Sequence, residues 1–192
     1  MSSNLNNKLF TTSTPIKGVN QIKRKLHEDN RGSFARIYCN EELKKLDKSI
    51  CQINFSQTRL KGTIRGMHFQ LKPFSEEKII TCLNGSVFDV VVDLRYGSPT
   101  FLQWHAEILS SENNNSLLIP EGCAHGFQAL ENDCKLLYLH TELYNPDFEG
   151  SLNVMDPMIG INWPIPFSEI SDKDANQPFI DKTYLGVFQN EM

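Results

Sequence analysis

The segment GTIRGMHFQ, residues 62–70, places an arginine and a histidine inside a run that is otherwise typical of a β-strand. Ile64, Met67 and Phe69 favour burial, whereas Arg65 and His68 need solvent, a partner or a ligand. Histidine is the side chain whose charge changes nearest to neutral pH, so it often serves as a general acid or base. The polar face of this strand therefore contacts either water or a ligand.

Polar residues recur on other predicted strands. Lys78 opens the segment KIITCL, His125 lies in CAHGFQAL, and Tyr138 lies in KLLYLHTELY. Each of them alone also fits a structural role, because tyrosine is common in strands and a lysine often ends a strand in solvent. As a set with Arg65 and His68, they predict a ligand cup between two β-sheets.

The segment IPEGCAHGF has the spacing Pro-x-Gly-x-x-His (Pro120, Gly122, His125), which is the second sequence motif of the cupin β-barrels. Metal-binding cupins take two histidines and a glutamate from their first motif. Here that region has only His68, and Gln70 stands where a second ligand would be. Because a first-row metal needs three or four converging ligands, we expect a cupin that has lost its metal.

Short apolar runs separated by turn residues fill the chain from about residue 50 to 142. Asn84-Gly85 is a strong hairpin signal, and strands of this length and spacing predict an all-β sandwich or barrel. Helices are predicted at residues 40–49 (NEELKKLDKS) and within SEISDKDA. We expect a single domain, 1–192, with residues 1–20 loosely ordered and 180–192 as a C-terminal tail.

The composition excludes several classes of protein. With 192 residues, 40% of them hydrophobic, and a net charge of −4, the chain is not a general binder of nucleic acid or anionic membranes. No apolar run approaches the roughly 20 residues of a membrane span, and MSSNLNNKLF lacks the layout of a signal peptide. There is no CxxC pair among Cys39, Cys51, Cys82, Cys123 and Cys134. We therefore expect reduced thiols and a cytoplasmic location.

Five longer motifs occur in a fixed order: RGMHFQ, EEKIITCLNGSVFDVVVDLRYGSPTF, IPEGCAHGF, LLYLHTELYNPDFEG and DPMIGINWP. Over about residues 20–178 the chain thus resembles the dTDP-4-dehydrorhamnose 3,5-epimerase family. The resemblance implies a cupin-type double-stranded β-helix (jelly-roll) barrel with a few short helices. It also implies a metal-free, cofactor-free homodimer that inverts carbons beside the ketone of a dTDP-linked 4-keto-6-deoxyhexose.

The resemblance implies four catalytic residues. His68 is the base that removes a proton next to the C4 ketone, and Asp174 orients it. Lys78 stabilises the enolate oxygen. Tyr138 delivers a proton to the opposite face of the sugar. A histidine–carboxylate pair opposite a tyrosine suits inversion of a stereocentre.

The resemblance also implies a set of residues that bind the substrate. Arg65 and His125 contact the diphosphate, and Tyr144 stacks on the base. The complete set is Arg31, Gln52, Asn54, Arg65, His125, Tyr144, Glu149 and Lys173. Arg31 directly precedes the N-terminal segment GSFARIYC (residues 32–39). We expect this segment to cross to the sheet of the partner subunit, where Phe34 and Ile37 become buried and Arg31 completes the partner's site.

The chain departs from the family at His27, Ser33 and Arg36, where aromatic residues and a glutamate are usual. All three lie on the nucleotide side, so the identity of the base stays open. Other readings also stay open: a single-site 3- or 5-epimerase, a ketoisomerase, a catalytically silent sugar-nucleotide-binding cupin, and a metal-dependent oxygenase. The presence of Lys78 and Tyr138 argues against the ketoisomerase. The presence of His68, Tyr138 and Asp174 argues against the silent cupin, and the missing ligands argue against the oxygenase.

Overall fold

The computed structural model describes residues 9–43, 46 and 48–187, and its main elements are two antiparallel β-sheets packed face to face. The first sheet has six strands in the order β1-β2-β10-β7-β12-β5. Their bounds are β1 Leu9–Ser13, β2 Asn20–Arg24, β5 Gln52–Thr58, β7 Lys78–Asn84, β10 Ser116–Ile119 and β12 Cys134–His140. β5 and β1 are the edges of this sheet.

The second sheet has five strands in the order β13-β6-β11-β8-β9. Their bounds are β6 Ile64–Gln70, β8 Ser86–Asp93, β9 Trp104–Ser110, β11 Cys123–Ala129 and β13 Glu149–Ser151. A separate hairpin pairs β3 (His27–Asp29) with β4 (Gly32–Phe34). The predicted all-β jelly-roll class is therefore confirmed.

Two short helices lie in the described part of the chain, a 3₁₀ turn at Pro146–Phe148 and α1 at Asp172–Ala175. α1 is the helix expected within SEISDKDA, and Ser171 caps its N-terminus. The helix expected at residues 40–49 is not seen in the described part of that segment. Its described residues form turns or irregular chain, while 44, 45 and 47 lie outside the described residues. Leu43 is buried against Ile22 and Leu118, so packing holds this segment on the sheet.

The segment from residue 9 to residue 20 is firmly attached, which differs from the loose ordering expected for residues 1–20. β1 pairs with β2 along its full length. Ile16 and Val19 are buried in the main core, and burial of such side chains stabilises a fold by roughly 1.5–3 kcal/mol each. Residues 1–8 lie outside the described residues, as do 188–192 of the expected tail.

The core between the sheets is built from alternate residues of both. Ile80 and Leu136 of the six-stranded sheet meet Val87, Val91 and Phe127 of the five-stranded sheet. Tyr138 packs against this cluster from its edge. The apolar core therefore forms the floor beneath the more polar inward positions of β6, β7, β11 and β12.

β6 contains one residue more than its partner β11 between two paired positions. His68 pairs with His125 and Arg65 pairs with Phe127, so three steps along β6 match two steps along β11. Such a β-bulge breaks the alternation of faces. Arg65 and His68 consequently point to the inner face together with their partners, although they are an odd number of residues apart.

Two glycines permit the close approach of the strands at this bulge. Gly66 has a φ of +127°, and a Cβ there would lie 2.5 Å from the Gly126 Cα. A Cβ on Gly126 would lie 2.5 Å from the Met67 sulfur. Only glycine fits at both positions. Gly66 therefore permits the bulge that places Arg65 and His68 on one face.

Candidate active site

A cavity of about 1150 Å³ lies between the two sheets and is bordered by α1. β5, β7 and β12 supply one wall, and β6 and β11 supply the other. All predicted site residues line it except Arg31 and Gln52. Those that line it are Asn54, Arg65, His68, Lys78, His125, Tyr138, Tyr144, Glu149, Lys173 and Asp174. The polar face of residues 62–70 therefore contacts a ligand-sized cavity, as the sequence predicts.

His68 and Asp174 form a hydrogen-bonded pair, with 2.8 Å between His68 Nε2 and Asp174 Oδ1. Ser171 caps α1 by accepting the Asp174 backbone N–H, and the Asp174 carboxylate also accepts the Gly66 N–H. Burial raises the pKa of Asp174, but His68 and the other hydrogen bonds outweigh burial and hold this pKa below its usual range. An ionised Asp174 can accept the imidazole N–H and thereby orients the ring of His68.

Lys78 is a buried ammonium with a buried counter-ion. Its Nζ lies 2.8 Å from Glu76 Oε1, and both side chains are less than a tenth exposed. Burial raises the pKa of Glu76, but Lys78 and His140 outweigh it and bring this pKa to about 2. Glu76 is therefore ionised at neutral pH, and it compensates the charge of Lys78 inside the cavity wall.

Tyr138 lies on the wall opposite His68. Its hydroxyl is 3.1 Å from Ser56 Oγ, and its ring stacks on His140 and meets His125 edge-on. Burial raises the pKa of Tyr138 to about 12. The phenol therefore keeps its proton at neutral pH and can act as an acid.

His125 is buried and paired with a carboxylate. Its Nε2 lies 2.9 Å from Oδ2 of Asp89, which is completely buried. Asp89 Oδ1 has no hydrogen-bond partner within the part of the chain that the structure describes. The contact of His125 with a diphosphate stays a prediction. In the structure, one nitrogen of this imidazole is already hydrogen-bonded to Asp89.

Three charged or polar residues meet at the rim. Glu149 Oε2 accepts hydrogen bonds from Lys173 Nζ at 2.5 Å and from the Tyr144 hydroxyl at 2.9 Å. Burial raises the pKa of Glu149, but these two partners outweigh it and the pKa is lowered. Arg65 lies at another part of the rim, where its guanidinium donates to Thr58 Oγ1 and to the Gln57 carbonyl.

Arg31 does not line the cavity of its own chain. It sits at the turn of the β3–β4 hairpin, its side chain is 90% exposed, and it pairs with Asp29. His27 and Ser33 are exposed on the same hairpin. Arg36 forms an ion pair with Glu42 of its own chain.

The sequence interpretation missed the residues that hold the predicted ones. Glu76 pairs with Lys78 and with His140, Asp89 pairs with His125, and Ser56 contacts Tyr138. Glu76, His140 and Ser56 line the cavity themselves. His140 is two residues after Tyr138 on β12 and therefore shares its inward face. That alternation was the available signal for His140. Asp89, inside the apolar run SVFDVVVDL, was a comparable signal, because a carboxylate in a buried strand needs a partner.

Comparison with known proteins decides the family. Residues 13–182 match the family described as dTDP-4-dehydrorhamnose 3,5-epimerase. The chain belongs to this family. The match contains every predicted site residue and agrees with the resemblance seen over residues 20–178.

Individual members of the epimerase family cover most of the chain. A dTDP-4-dehydrorhamnose 3,5-epimerase from Sinorhizobium fredii is 39% identical over 88% of this chain and 89% of its own. The crystal structure of dTDP-6-deoxy-D-glucose-3,5-epimerase from Legionella pneumophila, in complex with dTDP-4-keto-L-rhamnose, has a TM-score of 0.87 and 37% identity. It covers 95% of this chain and 100% of that one.

A third similar protein is named for a different activity. A 3'-monoepimerase from Streptomyces bikiniensis, in complex with dTDP-quinovose, has a TM-score of 0.81 and 32% identity. It covers 86% of this chain and 85% of that one. The epimerase fold thus carries enzymes that are named for two carbons and enzymes that are named for one.

Within the described residues of this epimerase-family chain, no helix has the length and apolar character that a membrane crossing requires. All five cysteines are free, and three of them are buried.

Proposed function

We propose that the protein is an isomerase that inverts C3 and C5 of a dTDP-linked 4-keto-6-deoxyhexose, converting dTDP-4-dehydro-6-deoxyglucose to dTDP-4-dehydro-L-rhamnose. The observation that carries this proposal is the His68–Asp174 pair on one wall of the cavity and protonated Tyr138 on the other. The Legionella relative, described in complex with dTDP-4-keto-L-rhamnose, supports the class of substrate.

Proton removal is the first step. His68 takes the proton from the carbon next to the C4 ketone, and the electron pair of the broken C–H bond moves to the C4 oxygen. The buried Lys78 ammonium stabilises the resulting enolate, a contribution of a few kcal/mol for a fixed cation in a low-dielectric site. Asp174 stabilises the imidazolium that forms.

Reprotonation from the opposite face completes the inversion. Tyr138 gives its proton to the same carbon, the C4 oxygen returns to the ketone, and the tyrosinate recovers a proton from solvent. His68 loses its proton to solvent in the same cycle. Placing the base and the acid on different sheets keeps them on different faces of a flat enolate.

The remaining cavity residues fit the nucleotide diphosphate. Arg65 offers a guanidinium at the rim, and His125 lies next to the catalytic tyrosine. Tyr144, half exposed and anchored to Glu149, presents a ring on which a base can stack. Lys173 adds a positive charge at the same end of the cavity.

A second candidate function is epimerisation at one carbon alone. The 3'-monoepimerase from Streptomyces bikiniensis, of similar fold, favours keeping it. The same acid–base pair serves both reactions, and the orientation of the sugar decides which proton meets His68.

A homodimer in the cytoplasm completes the proposal. β5 is an edge strand whose outer side chains Ile53 and Phe55 are 63% and 58% exposed. Phe34 on the β3–β4 hairpin is 69% exposed. Such surfaces favour pairing with a second copy, whose Arg31 would then reach this cavity. The free cysteines fit a reducing compartment.

The test is incubation with dTDP-4-keto-6-deoxyglucose in D₂O. We expect deuterium at C3 and C5 and a product with the L-configuration, both followed by NMR and mass spectrometry. Deuterium at one carbon alone would establish the single-site alternative. Absence of both exchange and product with this substrate would overturn the proposal.

A further inference from the structure

The Lys78–Glu76 ion pair continues into a hydrogen-bonded chain that crosses the six-stranded sheet. The second oxygen of Glu76 lies 2.7 Å from His140 Nδ1. His140 Nε2 lies 3.3 Å from Asn54 Nδ2. The three strands that carry Lys78, His140 and the residues of β5 are neighbours, and Lys78 and Gln52 both pair with His140 in register.

The chain ends at the turn that carries Tyr144. Gln52 Nε2 donates to Asn54 Oδ1 at 3.2 Å. Gln52 Oε1 accepts the backbone N–H of Tyr144 at 3.1 Å. Tyr144 itself lines the cavity at the end proposed for the nucleotide. The chain therefore joins the Lys78 wall to the nucleotide end of the same cavity.

All hydrogen bonds in this chain run in one direction. A backbone N–H only donates, so Gln52 must present its oxygen to Tyr144 and its amide nitrogen to Asn54. Asn54 then has only its own amide nitrogen left for His140, and His140 Nε2 must accept. The ring proton of a neutral His140 is consequently on Nδ1, where it is donated to Glu76.

The position of Glu76 follows from these constraints. One carboxylate oxygen faces Lys78 and the other faces His140, so the carboxylate is held from two sides. His140 is itself fixed by stacking on Tyr138, with ring centroids 6.1 Å apart and planes 11° apart. A buried ion pair is favourable only with such geometry and additional hydrogen bonds.

We propose that Glu76 and His140, supported by Asn54 and Gln52, are positioning residues that hold the Lys78 ammonium where the enolate oxygen develops. The proposal rests on the proposed function, because it assigns Lys78 to that oxygen. Gln52 and Asn54, which the resemblance assigns to substrate binding, also support His140 through hydrogen bonds. Displacement of a catalytic group by about 1 Å costs up to roughly 100-fold in rate, which sets the scale of the effect.

Glu76→Gln is the first test, since it keeps the shape of the side chain and removes the charge. We expect kcat to fall roughly 10- to 100-fold while KM changes less than about twofold. dTDP affinity, measured by calorimetry, should stay within about twofold because Glu76 lies on the Lys78 wall. Unchanged kcat, or an equal loss of kcat and dTDP binding, would overturn the positioning role.

His140→Asn and His140→Leu form a matched pair, since the two new side chains are nearly equal in shape. Asparagine keeps an N–H donor toward Glu76, and leucine does not. We expect the Leu variant to lose kcat as Glu76→Gln does, and the Asn variant to lose distinctly less. His105→Asn and His105→Leu are the controls, because His105 pairs with Glu107 on β9 outside the cavity lining. Equal losses in both His140 variants would contradict the proposal.

The tautomer of His140 provides a readout that requires no catalysis. Long-range ¹⁵N–¹H NMR of the wild-type protein should show the proton of His140 on Nδ1. A proton on Nε2 would refute the proposed direction of the hydrogen bonds, and this measurement remains possible even where a His140 variant fails to fold. A wild-type protein that does not turn over the keto sugar, but has His140 protonated on Nδ1, would refute the proposed function and leave the chain standing. Normal turnover by the wild type together with an unchanged kcat in Glu76→Gln would support the proposed function and refute the positioning role.

Discussion

His68 and Tyr138 stand on different sheets of the sandwich, His68 on β6 and Tyr138 on β12, and both line one cavity. His68 is backed by the carboxylate of Asp174, whereas burial keeps the proton on Tyr138. The surroundings of the two groups therefore differ: a carboxylate holds the imidazole, and a buried site surrounds the phenol. This asymmetry allows deprotonation and reprotonation to be separated by experiment.

His68→Ala should abolish both deuterium exchange and epimerisation, because no enolate forms without the base. The loss should exceed the roughly 10²–10⁴-fold that is typical of one acid–base group. Tyr138→Phe should still exchange the α-hydrogen, since His68 can return a solvent deuteron to the same face, but inversion should fail. NMR of the recovered substrate measures both. Loss of exchange in Tyr138→Phe as complete as in His68→Ala would mean that the tyrosine takes part in proton removal.

Asp174→Asn should fall between these variants. The amide keeps the shape of the carboxylate but lacks the charge that stabilises the imidazolium, so kcat should drop roughly 10- to 1000-fold with folding retained. Steady-state kinetics and circular dichroism measure the two effects. Asp172→Asn, on the exposed start of the same helix, is the matched control and should remain active. Full activity of Asp174→Asn would separate this residue from the reaction.

Mixed dimers test whether Arg31 serves the neighbouring subunit. Arg31→Ala and His68→Ala homodimers should each be poorly active, whereas refolding the two together should restore about half of the wild-type activity per mixed dimer. Restoration requires one site per mixed dimer to hold both wild-type residues, in agreement with Arg31 lying outside this chain's cavity lining. An active monomer in sedimentation at micromolar concentration would refute the arrangement.

EDTA treatment should leave the rate unchanged. Within the described residues, no group of three or more His, Cys, Asp and Glu side chains is arranged to hold a metal ion. The proposed steps use His68, Tyr138 and Lys78 alone. Loss of activity that a single added divalent ion restores would return a metal-dependent reaction to first place.

Acid should destabilise the fold partly through Asp93. Burial raises the pKa of this carboxyl, but Arg95, Ser98 and Thr100 outweigh it and lower the pKa to about 2. Since the folded pKa is depressed, the stabilisation is complete above the unfolded value near 3.8 and is lost as the pH falls toward 2. It corresponds to about 2 kcal/mol. Urea unfolding of Asp93→Asn should show a lower stability at pH 7 and a smaller drop between pH 5 and 3 than the wild type.

Local sequence signals predicted the strands and the Asn84-Gly85 turn, which joins β7 to β8. They also predicted the capped helix at Asp172–Ala175, because Ser171 and the acids after it act within one turn. The four catalytic roles came from the family resemblance and not from spacing. The segment at residues 40–43 escaped prediction, since Leu43 packs on a distant sheet and tertiary contact outweighs helix propensity there.

The hydrogen-bonded chain behind Lys78 lay beyond the sequence for a different reason. It depends on the register of β5, β12 and β7, which places Gln52, His140 and Lys78 side by side. No short-range pattern fixes that register. The inward position of Arg65 could not be predicted for the same reason, because it depends on how β6 pairs with β11.

The extra residue in β6 makes the site depend on strand pairing as well as on side-chain identity. Arg65 and His68 are three residues apart, so in a strand of strict alternation without the bulge only one of them would face the cavity. A substitution alters one side chain, whereas loss of the bulge at unchanged chain length would invert a whole run of side chains, exchanging His68 with the buried neighbours Met67 and Phe69. Deleting Gly66 would instead leave Arg65 and His68 two residues apart and on one face. The bulge and its extra residue are therefore kept or lost together, and an alignment gap of one residue there is compatible with both polar side chains facing the cavity.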